Sequence, residues 1–258
     1  MHGYGVSNTS PLSAPPFHFL TPQQTGIMCI GGAVANTNGG TLSPAQWEFR
    51  DAGGPLVHNI SGHMGSIDPS HHYDKTSDTH WLLYKSNGNT MAQPTVIYAA
   101  PLSADGMNVT GTAVPLLEND PRTWEGGCIE APWMIEHTMP NGSTVHYLFY
   151  SGPGYCDQCH YAVGVAVSTT GLLGPWRKRG EPILSQTAAD KMFASPGHCS
   201  VVPATNGGTA IVYHAYQVGK VGTGRHLMLD ELVWDAGSLW PRLRTGGTDP
   251  SSTPQPLP

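Results

Sequence analysis

Short apolar and aromatic runs, each bounded by Gly, Pro, Asn or Asp, recur along this chain. The pattern predicts many antiparallel strands joined by tight turns, because aromatic and β-branched side chains suit a pleated sheet and the bounding residues suit turns. The clearest strands fall at residues 81–84 (WLLY), 96–100, 147–150 (YLFY), 161–168, 211–214 (IVYH) and 227–234. Helical periodicity is almost absent.

Three of these strands are related. WLLYKSNGN, YLFYSGPG and IVYHAY follow one another at intervals of about 65 residues, the mark of a repeat architecture in which each repeat is one sheet, or blade. A second element keeps the same period: Asp68 in GSIDPS, Glu130 in CIEAPW and His198 in PGHCSVV each precede their aromatic strand by a similar offset. In a propeller the innermost strands start near the central channel, so three ionisable residues far apart in sequence are expected to meet there. CIGGAVANTNGGTLSPAQW resembles YAVGVAVSTTGLLGPW and reads as the outer strands of a blade, whereas the Pro- and Ser-rich leader before it has no clear strand. The expected organisation is an irregular leader at 1–24, about four blades over 25–245, and a disordered Pro- and Ser-rich tail at 246–258.

Composition agrees with an all-β chain. Gly 32 and Pro 23 in 258 residues, with 12% charged residues, disfavour a helical protein. A net charge of −6 offers no basic surface for nucleic acid or anionic membranes, and no apolar run spans a bilayer. One domain acting as a monomer is expected. Five cysteines leave at least one outside any intrachain disulfide, and the Cys156/Cys159 CxxC has no second CxxC at zinc spacing. Sequons at Asn8, Asn59, Asn108 and Asn141 suit an exported protein. The first residues lack the basic and apolar regions of a signal peptide, so secretion is inferred.

With these motifs in view, the chain resembles glycoside hydrolase family 43, the β-xylosidases, α-L-arabinofuranosidases and endo-arabinanases. The resemblance runs from about Cys29 to Leu243 and rests on GSIDPS with WLLYKSNGN, WEGGCIEAPWM with YLFYSG, YAVGVAVSTTGLLGPW, and GHCSVV with VYHAY and GRHLMLDELVW, in family order. It implies a five-bladed β-propeller, here with its first blade largely missing, and inverting hydrolysis of arabinose- or xylose-containing plant cell-wall polysaccharides. Inversion needs a protonated carboxyl for the leaving oxygen and a carboxylate to activate water, about 6.5–9.5 Å apart.

Residue by residue, the resemblance implies that Glu130 is the general acid and Asp68 the carboxylate that orients it and tunes its proton affinity. Glu125, in WEGG, is the competing acid. Arg225 and His198 match substrate-binding positions, and Trp124, Trp133 and Tyr155 are candidates to stack on sugar rings. His198 is also the candidate for a central calcium or other cation, held through water; no cofactor is required. The expected partner is an oligo- or polysaccharide. The family's general base is an aspartate early in the first blade, and the first aspartate here is Asp51. The chain is therefore read as truncated at its N-terminus, its base lost, with a catalytically impaired carbohydrate-binding propeller as the alternative.

Overall fold

The computed structural model describes residues 17–20, 23–24, 27–35, 47–49, 54–57, 64–89, 93–154, 160–186, 193–220 and 223–245. Every regular element among them is a β-strand, and no helix is long and apolar enough to cross a membrane. The chain divides into two compact units, Met1–Glu118 and Asn119–Pro258.

In the first unit, β1 (Phe17–Leu20), β4 (Gly31–Ala35) and β5 (Trp47–Phe49) make a three-stranded sheet in the order β1-β4-β5, and β2 (Gln23–Gln24) pairs with β3 (Ile27–Met28). A four-stranded meander follows: β6 (Ser66–Asp74), β7 (Thr79–Ser86), β8 (Val96–Leu102) and β9 (Val114–Glu118). Its first hairpin closes on Asp74, whose carboxylate accepts from the Thr76 N–H at 2.9 Å and the Ser77 hydroxyl at 2.7 Å, an Asx-type turn. Ile30, Leu82, Tyr84, Ala100 and Leu102 form an apolar cluster in this unit. Gly65, at φ 103°, pairs with Met28, where a Cβ would stand 1.8 Å from the Met28 carbonyl oxygen; only glycine serves at that crossing.

β1 corrects one expectation. Phe17–Leu20 lies inside the stretch read as an irregular leader, yet it pairs antiparallel with β4 from Phe17↔Val34 to Leu20↔Gly31. FHFL, hemmed by Pro15, Pro16 and Pro22, is too short to display periodicity by itself, and the ladder with β4 supplies what its pattern lacks. The tail at 246–258 lies outside the described residues, as do Tyr155, Cys156 and Cys159.

The second unit holds two four-stranded antiparallel meanders. One is β10 (Glu130–Thr138), β11 (Thr144–Gly152), β12 (Ala162–Ser168) and β13 (Arg177–Lys178); the other is β14 (Phe193–Pro203), β15 (Thr209–Gln217), β16 (Arg225–Val233) and β17 (Arg242–Leu243). β11 is buried at all but its first residue and β12 throughout, which is why YLFY and AVGVAV read as continuous apolar runs rather than alternating ones. Val145, Tyr147, Phe149, Val163, Val165 and Val167 of the first meander pack with Val201, Ile211, Tyr213 and Leu232 of the second in one core. Tyr147 also donates from its hydroxyl to the Leu239 carbonyl at 2.7 Å, so its buried polar end is satisfied.

Candidate active site

The first strand of each four-stranded sheet carries a bulge. In β6, Ile67 pairs with Lys85 and Ser70 with Leu83, so Asp68 and Pro69 together oppose Tyr84. In β10, Ala131 and Pro132 oppose Tyr150; in β14, His198 and Cys199 oppose Tyr213. The first residue of each pair has a left-handed backbone, with φ 56° at Asp68, 54° at Ala131 and 51° at His198. That conformation costs a non-glycine residue about 1–2 kcal/mol, and a bulge of this kind bends the strand and re-aims its side chains.

The bulges correct the alignment drawn from sequence. Asp68 and His198 hold equivalent positions, but the matching residue in β10 is Ala131; Glu130 comes one residue earlier, paired with Ser151, in register with Ile67 and Gly197. Offsets counted to an aromatic run are blind to a one-residue difference of this sort.

Glu130 is 6% exposed. The Tyr161 hydroxyl donates to its Oε1 at 2.7 Å, and the Cys128 thiol lies 3.6 Å from its Oε2. Tyr161 is fully buried and stacks on His214, with centroids 5.6 Å apart and planes 15° from parallel. His214 Nε2 is 3.1 Å from Nη1 of Arg225, which is exposed at the start of β16. The half-buried His198 ring is 6.3 Å from that of His214, and the His198 N–H donates to the Ser151 hydroxyl at 2.9 Å. The fold thus brings Glu130, His198 and Arg225 into one neighbourhood of the second unit. It adds Tyr161 and His214, which sequence reading assigned to strands without a role. Gly197 makes room for this arrangement: a Cβ there would stand 2.0 Å from Cε1 of Tyr161.

Three other candidates are placed differently. Glu125 is 1% exposed and accepts from the Tyr150 hydroxyl at 2.7 Å, the Lys178 ammonium at 2.7 Å and the Asp120 N–H at 2.8 Å. It is part of a structural ion pair with Lys178, and burial, with the neighbouring Glu125, pushes the Tyr150 hydroxyl far above the usual phenol range. Trp133 is buried in the core of the second unit, where its Nε1–H donates to the Val201 carbonyl at 2.9 Å; the expectation that it stacks on sugar is overturned, because a donor spent on backbone inside an apolar core faces no ligand. Trp124 is half-buried, stacks on Tyr150 at 5.8 Å and covers Gly164, so one face of its ring is already occupied by its own sheet.

Asp68 belongs to the first unit and is 8% exposed. His198, expected to hold a cation through water, has the His214 ring 6.3 Å away and the Ser151 hydroxyl at its backbone N–H.

The family model described as "Glycosyl hydrolases family 43" matches residues 17–240. Among solved structures, a thermostable family-43 glycoside hydrolase is 26% identical, with a TM-score of 0.75 over 95% of this chain and 75% of that one. An α-L-arabinofuranosidase from Lactobacillus brevis is 16% identical, with a TM-score of 0.69 over 95% of this chain and 73% of its own. An endo-arabinase from Bacteroides thetaiotaomicron VPI-5482 is 22% identical, with a TM-score of 0.64 over 89% and 75%. No curated protein sequence matches the chain. The last two structures speak to fold alone, and with the first they identify the four-stranded sheets as blades of an all-β propeller fold.

Proposed function

We propose that this chain, which belongs to glycosyl hydrolases family 43, hydrolyses O-glycosidic bonds in arabinose- or xylose-containing plant cell-wall polysaccharides with inversion, and that Glu130 is its general acid. The observation that carries the assignment is the setting of Glu130: a buried carboxyl beside a strained bulge, gripped at one oxygen by Tyr161, in a polar series that runs through His214 to the exposed Arg225. Burial opposes the charged form of a carboxyl, the direction a proton donor needs. Glu125 is instead tied into its own sheet by Lys178 and Tyr150.

In this reading Arg225 offers its fork of N–H donors to sugar hydroxyls, and His198 lines the same neighbourhood. Asp68 takes the equivalent bulge position in β6 of the first unit. The substrate class follows the family and the α-L-arabinofuranosidase and endo-arabinase that share the fold. Export suits the sequons at Asn108 and Asn141, both exposed. Glu48, the one carboxylate before Asp51, sits in β5 at the edge of its sheet and is not a base candidate. A second reading is carbohydrate binding with impaired turnover.

Hydrolysis of aryl arabinofuranoside, aryl xyloside and linear arabinan, alongside sugar binding by calorimetry, tests both readings on the wild type and Glu130→Gln. Turnover that disappears in Glu130→Gln while binding persists supports the hydrolase. Binding with no turnover in either protein supports the impaired propeller, and neither binding nor turnover overturns the substrate class.

A further inference from the structure

The β6–β7 hairpin carries a cluster of nitrogen donors that the hydrolytic chemistry does not use. Tyr73 faces His80 across the ladder and His71 faces Leu82, so His71, Tyr73 and His80 share one side of the sheet. His71 Nε2 and His80 Nδ1 are 2.8 Å apart, with ring centroids 5.0 Å apart and planes 28° from parallel. The Tyr73 ring lies 4.8 Å from that of His80, and its hydroxyl donates to Asp78 Oδ1 at 2.5 Å. Both histidines are partly exposed near the hairpin tip.

We propose that His71 and His80 form a cross-strand chelate for a divalent transition-metal ion of tetragonal preference, Cu2+ or Ni2+. Bonds of about 2.0–2.1 Å to imidazole nitrogen place two donors at a right angle about 2.9 Å apart, and two donors at the tetrahedral angle about 3.4 Å apart. The observed 2.8 Å matches the right angle, the geometry that Cu2+ and Ni2+ favour and zinc does not. The two nitrogens now share one proton. On binding, that proton moves by tautomer exchange to the remote nitrogen of the donor ring, His71 Nδ1 or His80 Nε2, so both facing lone pairs go to the metal and the charge of the protein is unchanged. Each ring turns its lone pair off the line joining the two nitrogens to meet the ion at a common point, and water completes the coordination.

Two features prepare the pair. Burial, with the neighbouring His80 and His72, holds His71 down to about 3, and burial also lowers His80; both rings are therefore neutral at pH 7, the ligating form. The Asp78 carboxylate acts on His80 in the opposite sense, favouring positive charge there, and so favours a cation. Mg2+ and Ca2+, which take oxygen ligands, are not expected to bind this pair.

The test is titration of the full chain with CuCl2 and NiCl2, read by electron paramagnetic resonance for Cu2+ and by the thermal unfolding midpoint for Ni2+. The variants are His71→Ala and His80→Phe, which keeps a ring against Tyr73, with His137→Phe as a control in the other unit. The expected result is one equivalent of Cu2+ with hyperfine splitting from two nitrogens, binding weakened at least tenfold in both variants and unchanged in the control, and a Ni2+-dependent rise in the midpoint confined to wild type and control. Unchanged midpoints without metal show that the variants fold. Wild-type Cu2+ binding in either variant, or Zn2+ bound more tightly than Cu2+, overturns the proposal.

Discussion

Glu125 and Glu130 stand five residues apart, both almost fully buried in the second unit, and differ in what meets them. Glu125 accepts an ammonium, a phenol and a backbone N–H, so its charge is neutralised and it ties the loop before β10 to Lys178 of β13. Glu130 is met by the Tyr161 hydroxyl and, more distantly, the Cys128 thiol, and it stands next to a bulge whose following residue is held at φ 54°. Burial alone therefore does not mark a catalytic carboxyl. The partners differ: the Lys178 ammonium meets Glu125 at 2.7 Å, while the Tyr161 hydroxyl meets Glu130 beside the bulge.

Exchanging each carboxylate for its amide should separate the two roles. Glu130→Gln is expected to lower kcat by about 10²–10⁴ with little change in the unfolding midpoint. Glu125→Gln should do the reverse, costing roughly 3 kcal/mol because Lys178 loses its charge partner; denaturant unfolding would reveal it, and the lower end of the range is apt because the Lys178 side chain is 24% exposed. Should Glu125→Gln abolish turnover in a protein as stable as wild type, the roles assigned here are reversed.

A smaller effect is expected from the support of Glu130. Tyr161→Phe removes the donor to Oε1 and should lower kcat about tenfold, the equivalent of one hydrogen bond. Because that donor favours the charged carboxylate, the alkaline limb of the kcat/KM profile should also move to higher pH, a shift that a purely structural role would not produce. Gly197→Ala, which pushes a methyl against the Tyr161 ring, should reproduce both changes, with loss of stability besides.

The smallest effect concerns Asp230, a third buried carboxyl of this unit. Burial raises it above the ordinary range, opposed by hydrogen bonds from the Thr245 hydroxyl and the Glu231 N–H. A raised folded value means that the native state holds the proton more tightly, so stability is present below the unfolded value of 3.8 and falls as pH rises above it. Asp230→Asn should flatten the fall of the unfolding midpoint between pH 4 and neutrality by roughly one degree or two.

Much of the fold was legible in the chain. WLLY, YLFY, the run from 161 to 168 and IVYH all became strands at the expected places, because central strands covered on both faces leave an unmistakable apolar run. FHFL at β1 was not legible, since four residues between prolines become a strand only when β4 lies beside them. In the site, Glu130, His198 and Arg225 could be named from motifs, and the repeat led Glu130 and His198 to be expected near one another. Tyr161 and His214 could not, because a tyrosine at the head of an apolar strand carries no mark distinguishing a packing residue from one whose hydroxyl holds a carboxylate. Trp133 failed for the same reason in reverse.

By itself the sequence determined the all-β class, the repeat of blades and the identity of an ionisable residue in each first strand, since these depend on periodicity and on residue type, both local properties. Tertiary structure alone decided which glutamate is committed to a lysine and which to a tyrosine, that Ala131 rather than Glu130 takes the left-handed position, and that Trp133 turns its N–H to Val201 in the core. Those outcomes hang on contacts between residues tens of positions apart and on a one-residue slip in register, and neither leaves a trace in the local pattern.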